Sequence, residues 1–355
     1  MNRMNKKVKN AIKKSKQEAA RAQKHRELAR YYNLNSILGN HWAMFFPIIG
    51  SRKTGKSYSV TDFLLRQSRK TECKNYWFRI SESSTKALLL DKADKLIDPD
   101  LKRKYDVKLK VVGPEVYDHG KLFCTVLPLS SFGKTKGIGY FDKDYKGWYN
   151  LVLDEFQQEV GEKRTSFDVL YAFITMLENT CRTTKTKVRV FLLGNTLEES
   201  CQILKAFNFL PEKFGRFYLR SKRCVIDNLE PTEEYFQDRK GSLADILGGD
   251  SMSNYTNLLK KDVKLLHKGR VNRITAIIKF SKDKIYTLYD GNVIRRYKGE
   301  AAPYVIAMRP YLGEAYNKEK VLSVYERYDA EAFQFDSLIT QAYFTGDLQQ
   351  LRKNR

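Results

Sequence analysis

The sequence predicts an α/β fold with a central, mostly parallel sheet, followed by a smaller α+β domain. Three observations predict it. Short apolar runs alternate with amphipathic helical stretches between Trp42 and Leu193, the pattern of strands joined by covering helices. A glycine-rich loop separates the first apolar run from the first such helix. Past Asn228 the chain turns rich in Gly, Ser and Asp, then breaks into closely spaced β-rich runs.

Taken in order, residues 1–30 carry 11 basic and two acidic side chains with little apolar stripe, so they read as a basic helix or arm without a docking face. Met44–Ile49 is a strand ending at a glycine turn. Pro47 inside it lacks a ladder N–H and is expected at a bulge or a strand start. Tyr58–Gln67 is a helix with Val60, Phe63 and Leu64 on one face. Tyr76–Ile80 reads as a strand, Leu88–Leu101 as a helix, and Lys108–Val112 and Leu122–Leu127 as strands. Ser130–Gly147 is a Gly- and Lys-rich loop, Leu151–Leu153 a strand, Phe167–Glu178 a helix and Val188–Leu193 a strand. Farther on, Ile274–Phe280, Lys284–Tyr289, Val293–Tyr297 and Tyr304–Met308 are strands, with Asp290-Gly291 as a hairpin turn. Asp336–Phe344 and Leu348–Arg355 are helical. The division is a basic extension over 1–34, a first domain over 35–228, a linker over 229–262 and a second domain over 263–355.

Lys and Arg number 65 against 41 Asp and Glu, a net charge of +24. That surplus disfavours an ordinary metabolic enzyme and favours a polyanionic partner, nucleic acid or an anionic membrane surface. The chain is 42% hydrophobic and 13% aromatic, enough for packed cores. No secretory h-region stands in the first 30 residues, and the longest apolar run, Trp42–Ile49, falls far short of the roughly 20 residues that cross a bilayer. Five separated cysteines without a C-x-x-C pair, and four histidines with none at i, i+4, point to reduced thiols and against a zinc site.

The strongest motif is Gly50-Ser51-Arg52-Lys53-Thr54-Gly55-Lys56-Ser57. It fills G-x-x-x-x-G-K-[ST], the P-loop, with a strand before it and a helix after it. Backbone N–H groups and the helix N-terminus would face the phosphates of ATP. Lys56 would sit at the β- and γ-phosphates, and Ser57 would offer its hydroxyl to Mg2+. Arg52 and Lys53 are further cations beside the terminal phosphate, or else a solvated loop face. Leu151-Val152-Leu153-Asp154-Glu155 reads as a buried parallel strand delivering two carboxylates to the same crevice. Asp154 would hold Mg2+, and Glu155 would polarise the attacking water. The acidic pair on a strand separate from the P-loop makes this an ASCE-type P-loop ATPase. A third strand ends at Gly194-Asn195, where Asn195 is either a sensor of the γ-phosphate or a turn residue. Arg182 closes the helix before that strand, as a phosphate-directed finger or a dipole partner. Lys134 and Lys136 after one strand, and Lys163 and Arg164 after the acidic one, suit sequence-independent, salt-sensitive contacts to DNA phosphates.

With these residues in place, the sequence resembles the DNA-packaging (encapsidation) ATPases of small tailed phages of the phi-29 group, relatives of the terminase large subunits. The shared order is a P-loop with Arg52 at its third position, a short strand ending in Arg79, Pro128-Leu129-Ser130, then Asp154-Glu155-Phe156. A helix ending in Arg182, a strand closing at Asn195 and the terminal Tyr343-Phe344-Thr345-Gly346-Asp347-Leu348 complete it. The resemblance implies a homo-oligomeric ring, a pentamer, at the portal of an empty procapsid in the host cytoplasm, moving double-stranded DNA inward with ATP and Mg2+. It leaves a scaffolding RNA open. It implies Lys56, Ser57, Asp154 and Glu155 as the ATP and Mg2+ residues and Arg182 as a finger acting in trans, with Lys185 and Arg189 nearby as alternatives. The second domain would be nucleic-acid-binding and resemble a degenerate ribonuclease-H-like nuclease. Asp283, Asp290, Asp329, Glu331 and Asp336 are scattered along it, without a two-metal cluster. Three readings stand: a packaging motor; a terminase large subunit with an active nuclease, or another P-loop DNA translocase or helicase; and a non-enzymatic nucleic-acid or membrane adaptor with a structural P-loop.

Overall fold

The computed structural model describes residues 32–134, 142–157, 167–182, 187–195, 201–231, 233, 237, 240–241, 262–312 and 315–353. The chain forms two compact units, one of residues 1–196 with 215–257 and one of residues 197–214 with 258–355. Among the described residues no helix is long and apolar enough to cross a membrane.

The first unit is built on nine strands: β1 (Phe45–Ile49), β2 (Cys73–Arg79), β3 (Leu109–Val112), β4 (Glu115–Asp118), β5 (Lys121–Pro128), β6 (Trp148–Asp154), β7 (Lys187–Gly194), β8 (Gly215–Leu219) and β9 (Cys224–Asn228). Their order is β3-β4-β5-β2-β6-β7-β1-β9-β8. The strands from β5 to β9 in that order pair in parallel, while β3, β4 and β8 add antiparallel edges. β7 lies between β1 and β6, so the strand ending in Asn195 separates the P-loop strand from the acidic one.

Apolar spacing explains the packing. The helix Lys56–Lys70 buries Val60, Phe63, Leu64 and Leu65, and Phe63 meets Phe191 of β7 edge-on at 5.8 Å. The helix expected over Leu88–Leu101 is broken. Glu82–Ala93, capped by Ser81, ends where Asp91, Lys92 and Ala93 take positive φ. A new helix, Pro99–Tyr105, starts from the Asp98 cap, and Pro99 sits in its first turn. Pro47 stands mid-strand rather than at a bulge or start. Pairing with β7 runs unbroken through it, and pairing with β9 skips Phe46 and Pro47. The first residues of the expected loop Ser130–Gly147 form a short helix, Leu129–Lys134.

Asn75, Asn150 and Arg189 stand side by side on β2, β6 and β7. Asn150 Nδ2 donates to Asn75 Oδ1 at 2.9 Å, and the Arg189 guanidinium lies over the Trp148 ring at 3.4 Å. Burial lowers Arg189 to about 10. Arg189 thus packs within the sheet, against Trp148; Lys185 lies outside the described residues.

The second unit has a sheet of β10 (Ile274–Lys279), β11 (Ile285–Tyr289), β12 (Val293–Arg296), β13 (Val305–Ala307) and β14 (Gln334–Phe335), in the order β13-β10-β11-β12-β14. β10, β11 and β12 are antiparallel, β13 runs parallel to β10, and β14 parallel to β12. Helices Lys318–Asp329 and Leu338–Lys353 contribute Val321, Val324, Phe344 and Leu348 to a core shared with Phe280, Tyr286 and Phe335. Phe344 centres it, 5.1 Å from the Tyr286 ring and 5.4 Å from that of Phe280. The two terminal helical stretches expected from sequence are one helix, because Gly346 and Asp347 lie within it. Asp347 is buried and bound by Lys284 Nζ at 2.6 Å and Tyr286 OH at 2.7 Å. Asp290 accepts the amides of Asn272 and Arg273, and Asp329 pairs with Arg352. Among the described residues no three His, Cys, Asp or Glu side chains gather as a metal site.

The boundary expected at 228 is crossed by residues 197–214, which pack with the second unit. Tyr343 OH donates to Lys205 O at 3.0 Å, and Arg296 binds Asn208. The expected linker over 229–262 lies largely outside the described residues.

Candidate nucleotide site

The P-loop leaves β1 at Gly50, where a Cβ would sit 2.9 Å from Leu229 Cβ, so only glycine fits. Gly55 has φ 82 and starts the helix; Lys53 also adopts positive φ, at 67. Lys56 is only 5% exposed. Its ammonium donates to Gly50 O at 2.6 Å, Ser51 O at 2.8 Å and Thr54 Oγ1 at 3.2 Å. Burial lowers it to about 8, against the pull of Asp154. Ser51 is fully buried, and its hydroxyl has no hydrogen-bond partner among the described residues. Ser57 is exposed in the first helical turn, and Arg52 and Lys53 are exposed on the loop.

The parallel register brings the other candidates to the same edge. Asp154 stands level with Leu193, and Ile49 with Gly194. Gly50 N donates to Gly194 O at 3.1 Å, which ties the P-loop to the tip of β7 and places half-buried Asn195 beside it. Asp154 is 7% exposed; burial raises its carboxyl, and Arg79 opposes that rise. Glu155 turns out of the strand at φ 56, a backbone region costly for a non-glycine residue and concentrated at functional sites.

Arg79 organises this pair. Its Nη2 lies 2.9 Å from Asp154 Oδ2, and its Nη1 donates to Glu155 Oε2. The sequence marks Arg79 only as the end of a strand, because β2 and β6 become neighbours through pairing of residues more than 70 positions apart. Gln157, buried two residues after Glu155, is also missed from sequence.

Arg182 is exposed and follows the C-cap of helix Val169–Thr180. That helix joins the C-terminal end of β6 to the N-terminal end of β7. The N-terminal ends of β6 and β7 lie at the sheet edge opposite the P-loop. Lys134 ends a short helix, while Lys136, Lys163 and Arg164 lie outside the described residues.

A basic surface not read from sequence occupies that opposite edge. The β8–β9 turn, Arg220-Ser221-Lys222-Arg223, is exposed throughout. Arg220 lies over the Trp42 ring at 4.4 Å, Tyr218 packs on Trp42, and Arg223 Nε donates to Trp42 O at 3.3 Å. Among the described residues no carboxylate pairs with Arg220, Lys222 or Arg223.

Residues 27–303 match the family described as podovirus DNA encapsidation protein (Gp16). The chain is also similar to a solved structure of the bacteriophage Phi-29 viral genome packaging motor assembly, with a TM-score of 0.65 and 18% identity, covering 91% of this chain and 100% of that one. A structure of the Phi-28 gp11 DNA packaging motor matches with a TM-score of 0.59 and 15% identity over 90% of this chain and 98% of that one. The comparison with curated proteins returns no relative. Both structural likenesses concern the fold, whereas the family match spans most of the chain and includes every residue of the site: this chain belongs to the podovirus DNA encapsidation protein family.

Proposed function

We propose that this chain is the ATP-hydrolysing subunit of a homo-oligomeric ring, a pentamer, that drives double-stranded DNA into a procapsid through its portal in the host cytoplasm. A scaffolding RNA is compatible with this reading and not required by it. The observation that carries the reading is the convergence of Lys56, Asp154, Glu155 and Arg79 at one sheet edge, with β7 interposed.

In this reading Lys56 exchanges the carbonyls of Gly50 and Ser51 for the β- and γ-phosphates of ATP, with Arg52, Lys53 and Thr54 lining the cradle. Ser57 and Asp154 are hard oxygen donors that fit Mg2+, which would neutralise charge on the phosphates. Arg79 holds Glu155 until the carboxylate takes the proton of the attacking water. The water oxygen bonds to the γ-phosphorus as the bond to ADP breaks, and ADP and phosphate leave. Asn195, at the tip of the interposed strand, senses that change. Arg182, exposed after its helix, is the finger that would reach the phosphate of a neighbouring subunit in the ring. The test is ATP hydrolysis by the full chain with and without linear duplex DNA. Several-fold stimulation is expected, and an unchanged rate at saturating DNA would overturn the coupling.

Alongside Lys134, Lys136, Lys163 and Arg164, the β8–β9 turn is proposed as a contact to DNA phosphates, since aromatic-seated, unneutralised cations suit any sequence register. Replacing Arg220, Lys222 and Arg223 by Gln should flatten the slope of log Kobs against log[salt] by about 0.9 for each phosphate left unneutralised. DNA-free hydrolysis should stay unchanged. An unaltered slope removes the turn from the DNA path.

A further inference from the structure

Gln157 carries a feature that the hydrolysis scheme does not use. The residue is 7% exposed, and among the described residues neither Nε2 nor Oε1 has a hydrogen-bond partner. A buried amide unpaired at both ends is rare in native proteins and calls for a reason.

Its position supplies one. Gln157 follows Asp154 by three residues, and Phe156 N donates to Leu193 O at 3.2 Å, which pins the segment against β7. A Cβ built on Gly194 would lie 3.2 Å from Gln157 Oε1 and 2.9 Å from the Phe156 ring. The amide therefore rests on the tip of the interposed strand, at the glycine whose carbonyl binds the first P-loop residue. Acidic pair, P-loop and strand tip converge at this point.

We infer that Gln157 contacts the terminal phosphate and the attacking water of a bound nucleoside triphosphate. Nε2 donates to a γ-phosphate oxygen and Oε1 accepts from the water, so the amide gains both partners only when the triphosphate is present. An amide suits the task because it offers a donor and an acceptor together and does not compete with Glu155 for the proton. The inference rests on the nucleotide reading of this site.

The test uses the full chain and compares thermal stabilisation by ADP with that by a non-hydrolysable ATP analogue, each with Mg2+. Wild type should gain more from the analogue. Gln157→Leu, similar in volume and without polar atoms, should melt no lower than wild type without nucleotide. It should lose the analogue's extra shift and drop kcat on the order of 100-fold, as for a lost transition-state hydrogen bond, with KM for ATP within about three-fold. Gln157→Glu, of the same shape but negative beside the phosphate, should keep the ADP shift and lose the analogue's excess, which gives a second reading if the Leu variant folds poorly. If both variants retain the analogue's excess, or if Gln157→Leu lowers the nucleotide-free melting temperature while hydrolysis is unchanged, Gln157 is a packing residue and the inference fails. If wild type shows no shift with either nucleotide, the reading of the site itself fails.

Discussion

Glu155→Gln is expected to bind ATP within a few-fold of wild type and to turn over on the order of 10³-fold more slowly, the scale of a lost general base. The reason is local. The amide has the carboxylate's shape, and the positive φ of residue 155 strains Gln no more than Glu. Arg79 keeps an oxygen acceptor at 155 and its ion pair with Asp154. The cradle around Lys56 is formed by Gly50, Ser51 and Thr54, none of which touches the substituted group. Binding and chemistry should therefore separate. Single-turnover hydrolysis beside equilibrium nucleotide binding checks it, and turnover near the wild-type rate would remove Glu155 from the chemistry.

Lys56→Ala should weaken ATP binding by on the order of 100-fold or more, since the phosphates lose a charge-assisted hydrogen bond in a desolvated site. The nucleotide-free protein should be little affected. Its ammonium is buried with carbonyl and hydroxyl partners rather than an ion pair, and burial already weakens its charged form. Removing it relieves desolvation while freeing two carbonyls, two effects of opposite sign. Thermal melting checks both halves. Wild type at 100 times its Kd should gain about 2.7 kcal/mol, and the variant at the same ATP concentration should gain far less. An equal gain would show that the P-loop lysine does not bind phosphate here.

What could be read in advance follows from how local each signal is. The P-loop is eight consecutive residues whose glycines meet a local need: Gly50 faces Leu229, and Gly55 has positive φ. Leu151-Val152-Leu153 before Asp154 shows as an unbroken apolar run because β6 is buried on both faces. The Asp290-Gly291 turn is equally local, with φ of 50 and 79.

The features that stayed hidden depend on distant partners. β9 contains Asp227, which reads as a break in an apolar run, yet that carboxylate is buried between Arg216 at 2.6 Å and the Tyr32 hydroxyl at 2.7 Å. β8 is an edge strand, mostly half-exposed, without a clean alternation. Helix Lys318–Asp329 is findable, since Val321, Val324 and Tyr325 share a face behind an Asn317 cap. Arg79, Gln157 and the basic β8–β9 turn acquire their roles only when strands far apart in sequence are laid side by side.

The most direct test of a packaging motor is encapsidation itself. Procapsids bearing their cognate portal, this chain, linear duplex DNA and ATP are combined, and the DNA that resists nuclease is measured. Protection is predicted with wild-type chain and ATP, and none with ADP or with Glu155→Gln. Protection that is independent of ATP, or equal with Glu155→Gln, would contradict an ATP-driven motor built on this site.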